Sequence, residues 1–421
     1  MTDRRENPAG LRHALQALGP GILFAGAAIG VSHLVQSTRA GAGYGFDLLW
    51  AVLLVLLFKY PFFQYAHRYT VATGESLLEG YRRQGRWALG LFMLVVVVSA
   101  FITAAAVTVV TAGLLTALLG LKLGLGTVSF LVLALIVAIL VIGHYRVLDR
   151  LMKVMVLVLG ALTLIAVGVA AAHGPVGAPD FPRPDVWSVT GLTFVLALMG
   201  WMPAPLDIGV WSSLWILEKH EDKPRPSMLQ ANVDFHLGYL ATAVLAVAFV
   251  SFGALVMFGT GTEFSAGGVA FSRQLIDMYT ATLGGWSRWI IALVAFITMF
   301  STTLTVMDGY ARTLGHGAAL LFRGQSTMAP GLYLGLLGLL LGMSVLIIGV
   351  LIQSMHALVD VVTVLAFLTA PLVAVLNFRA VRSAAVPPQY RPGRFMTVLS
   401  WAGLVFLVGF SLVWVWLRWL R

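Results

Sequence analysis

Trp201-Met202-Pro203-Ala204-Pro205-Leu206-Asp207 interrupts an apolar run, residues 187–217, that is otherwise long enough to cross a bilayer. Two prolines two residues apart remove two amide donors and clash with the turn before them, so a helix must break there. Broken backbone at membrane depth is tolerated only where it is buried in protein or lines a cavity. A second interruption lies in the run 19–41, where Gly26, Gly30, Ser32, His33, Gln36 and Ser37 stand in place of aliphatic residues. Working outward from these two runs gives further apolar spans at 46–70, 87–119, 125–143, 151–172, 232–258, 284–314, 329–352, 356–380 and 396–417. The interrupted spans are then the first and the sixth, each the first of a five-span half. Paired interruptions at corresponding positions point to two inverted repeats with a ligand site at the membrane midplane. The expected fold is an all-α membrane protein of two inverted five-helix repeats plus an eleventh helix, with helices 1 and 6 broken.

Composition agrees with this reading. Hydrophobic residues make up 59% of the 421, charged residues 10%, and the mean hydropathy is +0.92. That is too little charge to cover a soluble domain of this length. With no cysteine, a disulfide frame and a thiolate metal site are both excluded. The net charge of +10 suggests a nucleic-acid partner only until its placement is read. Of the 27 Lys and Arg, 19 fall on the N-terminal side of the alternating loops and 6 on the other, with Arg39 and Lys59 inside spans. This bias predicts a multi-pass inner-membrane protein with its N-terminus cytoplasmic and its C-terminus outside. The expected organisation is a cytoplasmic tail (1–18), a first repeat (19–172), an outer loop (173–186), a second repeat (187–382), a cytoplasmic linker (383–395) and the eleventh helix with the C-terminus (396–421). Residues 1–18 lack the apolar core of a cleaved signal peptide. Residues 218–226 read as a charged turn and 259–273 as a Gly-rich polar loop. No nucleophile–base set, phosphate loop or metal cluster argues for an enzyme or a cofactor, and a monomer is the favoured state.

Several stretches resemble a known family. Gly19-Pro20-Gly21, Ala40-Gly41-Ala42-Gly43-Tyr44-Gly45-Phe46 with Leu48-Leu49-Trp50, and Ala72-Thr73-Gly74-Glu75-Ser76-Leu77 are similar to the first helix, the following turn and the segment after helix 2 of the Nramp divalent-metal transporters. Met202-Pro203 resembles the start of that family's helix 6 break. The resemblance implies a LeuT-type fold and a secondary transporter. It also implies a site that has changed. Where the family carries Asp-Pro-Gly-Asn in helix 1, this chain has Gly30-Val31-Ser32-His33. The family's Met-Pro-His in helix 6 becomes Met202-Pro203-Ala204, and residues 87–120 hold no ionisable side chain where helix 3 of the family carries acids.

What remains at positions Gly30, Val31, Ser32, His33, Gln36, Met202 and Ala204 suits an anion better than a cation. Mg²⁺ and related hard ions depend on carboxylates, and Met202 alone is a soft ligand. The second half of a broken helix offers free amides and the positive end of its dipole. Ser32, His33 and Gln36 add side-chain donors. No Arg cluster is present to clamp phosphate or sulfate, so a small monovalent inorganic anion is expected as the substrate. The resemblance adds bicarbonate, because a divergent Nramp-related branch without the metal motif is associated with its uptake. A divalent metal held by Asp207, or a small organic solute, is the alternative. Asp207 itself reads as a coupling or gating group, or as the partner of a cation such as Arg39. Asp308 with Arg312, and His356 with Asp360, read as local i, i+4 pairs.

Overall fold

The computed structural model describes residues 20–143, 146–178, 180–219, 226–351 and 354–419, all in helices and connecting loops. The expected tail at 1–18 and most of the charged turn at 218–226 lie outside the described residues. Fifteen α-helices are present among those described. The first, α1 (Pro20–Ala28), stops at Ile29 and Gly30, and the chain resumes as a π-helical turn, Ser32–Ser37, that runs into α2 (Thr38–Tyr44). The hydroxyls of Ser37 and Thr38 donate to carbonyls five residues back, at 3.1 and 3.4 Å, which supports the wider turn. Then come α3 (Leu49–Thr73), the short α4 (Leu77–Gln84), α5 (Arg86–Leu119), α6 (Leu125–Ile142) and α7 (Arg146–His173).

The second half repeats the pattern. Ser188 caps α8 (Val189–Gly200) by accepting from the Gly191 amide at 3.0 Å. The double proline ends that helix, and α9 (Ile208–Lys219) begins only after Asp207. A capping box of Ser227 and Gln230 opens α10 (Met228–Val256). It is followed by α11 (Gly268–Leu283), α12 (Ser287–Ala318, prolonged by a π-turn at Ala319–Arg323), α13 (Pro330–Leu351), α14 (Met355–Val381) and α15 (Arg394–Trp419). Nine of these helices are long and apolar enough to cross a membrane, and the two interrupted pairs α1/α2 and α8/α9 complete the pattern of two inverted five-helix repeats plus an eleventh helix.

Two features differ from the expectation. The loop expected at 259–273 gives way at Gly268 to α11, whose Phe271, Leu275, Ile276 and Tyr279 are buried against α5 and its neighbours. Its apolar residues recur at helical spacing but too briefly for a membrane span, so polarity masked the helix. The short α4, closed by a Ser76–Glu79 capping box, likewise falls in a charged segment between spans.

The broken helices are held at the centre. α10 packs along both α1 and α2, and α5 and α12 pack closely together beside them. Small residues permit the closest approach: a Cβ on Gly41 would collide with the Val250 carbonyl, and one on Gly253 with the Thr38 carbonyl. By contrast α13 and α15 are peripheral and present Leu334, Leu346, Val405 and Leu412 outward.

Candidate functional site

The two breaks face each other across a cavity of about 20 Å³. Ala28, Val31 and Ser32 line it from the first break, and Trp201, Pro203, Ala204 and Pro205 from the second. α9 adds Ile208 and Trp211; α5 adds Thr103 and Val107; α12 adds Thr302 and Val306. A space of this size holds about one water-sized group. Among the described residues no carboxylate lines it. The polar atoms around it are three hydroxyls, on Ser32, Thr103 and Thr302, and the indole N–H groups of Trp201 and Trp211. Both tryptophans are buried, and neither indole nitrogen has a hydrogen-bond partner in the protein. An indole N–H can only donate, and leaving one buried without an acceptor costs about 1–3 kcal/mol. Two residues of the cavity wall therefore carry unmet donors.

The sequence-derived candidates divide sharply. Val31, Ser32 and Ala204 line the cavity; Gly30, His33, Gln36 and Met202 do not. At Gly30 the reason is steric: an added Cβ would lie 2.5 Å from Thr302 Oγ1 and 2.8 Å from its Cγ2. Thr302 fills the room that a larger residue at position 30 would need. His33 is fully buried but turned onto α10, where its Nε2 lies 2.9 Å from the Thr242 carbonyl. A carbonyl only accepts, so Nε2 carries the proton, and Nδ1 meets the Ser32 hydroxyl at 2.7 Å. Both ring nitrogens meet partners within the protein in this conformation, and His33 does not line the cavity. Ser32 Oγ also lies 2.6 Å from the Ala28 carbonyl and 3.3 Å from that of Pro203, so its single hydrogen is shared among three acceptors, the shortest contact being to Ala28 within the first break. The Gln36 amide donates to Asp360 at 3.0 Å and accepts from Arg39 at 2.8 Å.

Asp207 occupies a second, smaller cavity of about 10 Å³ directly beside the first, with Thr103, Trp201 and Pro205 common to both walls. Its Oδ2 accepts from the Tyr310 hydroxyl at 3.0 Å, while Oδ1 is buried without a partner. Asp207 precedes the first residue of α9, where a carboxylate complements the helix dipole. It thereby neutralises one of the two helix ends expected to cradle an anion. The opposite end is treated in kind. Lys59, fully buried on α3, donates to the carbonyls of Met199 and Gly200 at 2.7 Å each and to Ala204 at 3.4 Å. An ammonium thus satisfies the orphan carbonyls where α8 stops, and it interacts electrostatically with Asp207.

Arg39 is not the partner of Asp207. It pairs with Asp360 of α14 at 2.7 and 3.1 Å, so the expected His356–Asp360 pair gives way to an Arg39–Asp360 pair. This ion pair lies at the wall of an open vestibule of about 970 Å³, also lined by Tyr44, Phe194, Glu263 and Arg418. At the other end of α12 the expected Asp308–Arg312 contact is present at 2.8 Å. It is extended by Glu218 of α9 at 2.9 Å and by the Tyr333 hydroxyl at 2.6 Å. Sequence reading missed Thr103, Trp201, Trp211 and Thr302. The tryptophans flank the double proline and Thr302 lies in the hydroxyl run Ser301-Thr302-Thr303, but neither pattern specifies which side faces a cavity.

Comparison with known proteins places this geometry. The chain is 37% identical over 402 residues to an uncharacterised protein of Pasteurella multocida, covering 95% of this chain and 92% of that one. Over shorter stretches it is 33% identical to the metal transporter Nramp6.2 of Populus trichocarpa, across 24% of this chain and 19% of that one. Its fold matches that of a mutant of the manganese transporter of Eremococcus coleocola with a TM-score of 0.71 at 14% identity, covering 99% of this chain and 88% of that one. It also matches MhsT in complex with L-phenylalanine, with a TM-score of 0.65 at 13% identity, covering 95% and 98%. The family model described as natural resistance-associated macrophage protein-like matches residues 21–417. The chain, a multi-pass helical secondary transporter of LeuT-type fold, belongs to the Nramp family.

Proposed function

We propose that this transporter carries a small monovalent anion, bicarbonate foremost, by alternating access. The observation that carries the reading is the pair of unpartnered indole N–H groups, Trp201 and Trp211, lining a central cavity that no carboxylate lines. Donor-only groups repel a bare cation and are satisfied by a ligand that accepts hydrogen bonds. Thr103 adds a hydroxyl, and the turn that resumes at Val31 adds the positive end of a helix, its His33 and Leu34 amides being already bound to the Gly30 carbonyl. In the central cavity a metal of the kind that the relatives' names imply would meet only hydroxyls, the Asp207 carboxylate lying in the adjoining space. The space of about 20 Å³ holds one water-sized group, so bicarbonate and an organic solute alike require it to widen.

The Lys and Arg bias supports eleven crossings of an inner membrane with the N-terminus inside and the C-terminus outside; a single chain is taken as the working unit. The proposed units remain the 1–18 tail, the repeats at 19–172 and 187–382 with the 173–186 loop between them, the 383–395 linker and the final helix at 396–421. On that topology the vestibule beside Arg39 opens outward, and Val31, Ser32 and Ala204 form the substrate floor with the two tryptophans. The test is uptake of radiolabelled bicarbonate into vesicles containing the purified chain, beside calorimetry with Mn²⁺ and Mg²⁺. Uptake with flat metal isotherms is the expected result. A saturable, stoichiometric Mn²⁺ isotherm with no bicarbonate entry would reject the proposal.

A further inference from the structure

The smaller cavity beside the substrate space has a composition of its own. Five oxygen-bearing side chains line it: Asp207, Tyr310, Ser99, Thr103 and Thr369. Asp207 is 5% exposed, and its Oδ1 has no partner. The hydrogens of two hydroxyls are already directed elsewhere. Ser99 donates to the Val95 carbonyl at 2.9 Å and Thr369 to that of Leu365 at 2.9 Å. What those hydroxyls still offer is lone pairs. A buried carboxylate oxygen beside these lone pairs, with Trp201 as the one donor-only residue in the wall and space for one water-sized particle, suits a monovalent cation or a water that donates to the same oxygens.

We propose that this cavity binds Na⁺ and that the sodium ion is transported together with the anion. The proposal rests on the anion reading above and gives it a driving force. A single carboxylate with neutral hydroxyls supplies the hard oxygen ligands of a monovalent ion but too little charge for a divalent one. Charge balance points the same way. The titratable groups facing Asp207 are Lys59 of α3, Tyr81 of α4 and Tyr310 of α12; α5 and α14 present only hydroxyls and apolar groups. Lys59 and Asp207 cancel, so an anion entering alone would leave one uncompensated buried charge. A cation entering next door restores neutrality, and binding of each ion then favours the other. Thr103 lines both cavities and can serve both ions, its oxygen towards the cation and its hydrogen towards the anion.

A proton in that place would achieve nothing for bicarbonate. One H⁺ with one HCO₃⁻ equals CO₂ and water, which cross lipid unaided, so only another cation adds driving force. An inside-negative potential opposes entry of an anion by itself. With one Na⁺ for each anion the transported charge is zero, and the sodium gradient drives accumulation.

The test uses the full chain, first in detergent without bicarbonate and then in vesicles. Thermal unfolding of the wild type should occur at higher temperature in NaCl than in choline chloride of equal ionic strength. Asp207→Asn should lose that difference. The double variant Ser99→Ala/Thr369→Val keeps the carboxylate and its Tyr310 bond, and should need roughly tenfold more Na⁺ for the same shift. In vesicles, an inward Na⁺ gradient should accelerate bicarbonate entry, and labelled Na⁺ should enter with it. Equal unfolding temperatures in the two salts, or bicarbonate entry as fast in choline as in Na⁺, would overturn the sodium site, as would entry driven by a pH gradient in its place. A sodium shift that requires Asp207, seen with no bicarbonate entry, would uphold the site and overturn the anion reading.

Discussion

At the scale of single residues the proposed anion site rests on Trp201 and Trp211, and their substitution tests one hydrogen bond at a time. Phenylalanine keeps most of the ring's bulk and removes the N–H. A hydrogen bond to a charged partner is worth about 1.5–3 kcal/mol, so Trp201→Phe or Trp211→Phe should raise the half-saturating bicarbonate concentration roughly tenfold to a hundredfold. Thermal stability should hold or rise slightly, because the free protein loses an unmet donor; a loss of stability with unchanged transport would make the indoles packing groups. His33 behaves in the opposite sense. With Nε2 on the Thr242 carbonyl and Nδ1 at Ser32, His33→Ala opens a cavity and orphans a buried carbonyl, costing about 2 kcal/mol or more. The check is a lowered unfolding temperature without bicarbonate present. Gly30 allows a compound test. Gly30→Asp alone meets the Thr302 side chain and should destabilise the fold, whereas Gly30→Asp/Thr302→Ala frees the space. The double variant should recover stability yet transport no anion, since it sets a carboxylate beside the cavity.

At the scale of elements, the breaks were legible and their contents were not. The double proline at 203 and 205 and the Gly30-centred interruption announce where α1/α2 and α8/α9 divide, because backbone chemistry is local. Which side chain turns into the gap depends on neighbours hundreds of residues away. His33 meets Thr242, Gly30 meets Thr302, and Lys59 caps a helix whose carbonyls belong to residues 199 and 200. None of those pairings follows from period or propensity. Helix α11 escaped for a related reason: it is amphipathic and short, so hydropathy alone passes over it. The α8 terminus makes the dependence measurable. Lys59→Met would leave two carbonyls and Asp207 without their buried cation, a loss on the order of 3–5 kcal/mol. Adding Asp207→Asn should recover part of it, because the uncompensated charge is then removed while the carbonyls stay unmet. Equal destabilisation by the single and double variants would show that Lys59 acts on the carbonyls alone.

Across the whole molecule, the described conformation has a wide vestibule of about 970 Å³ on one side of a central space of about 20 Å³. Between them stands the link from α2 to α14, in which Arg39 and Gln36 both bind Asp360. On the opposite side, Arg312 ties α9, α12 and α13 through Glu218, Asp308 and Tyr333. Two ion-pair clusters at opposite ends of one substrate space are what alternating access requires, since each can be broken while the other holds. The chain lacks cysteine, so single introduced thiols report access without background. Val361→Cys, exposed in the vestibule, should react with a membrane-impermeant thiol reagent added outside intact cells. Gly393→Cys, in the linker between α14 and α15, should react only after the membrane is opened; labelling from outside would invert the proposed topology. Thr302→Cys, 4% exposed, should be nearly silent in the otherwise unmodified chain. Asp360→Ala removes the acceptor shared by Arg39 and Gln36, so it should raise the outside labelling rate at Thr302→Cys severalfold. Saturating bicarbonate should slow that labelling, because the anion fills the space the thiol faces. If Asp360→Ala leaves the rate unchanged, the Arg39 link is a packing contact, and the barrier between vestibule and cavity is the apolar wall alone.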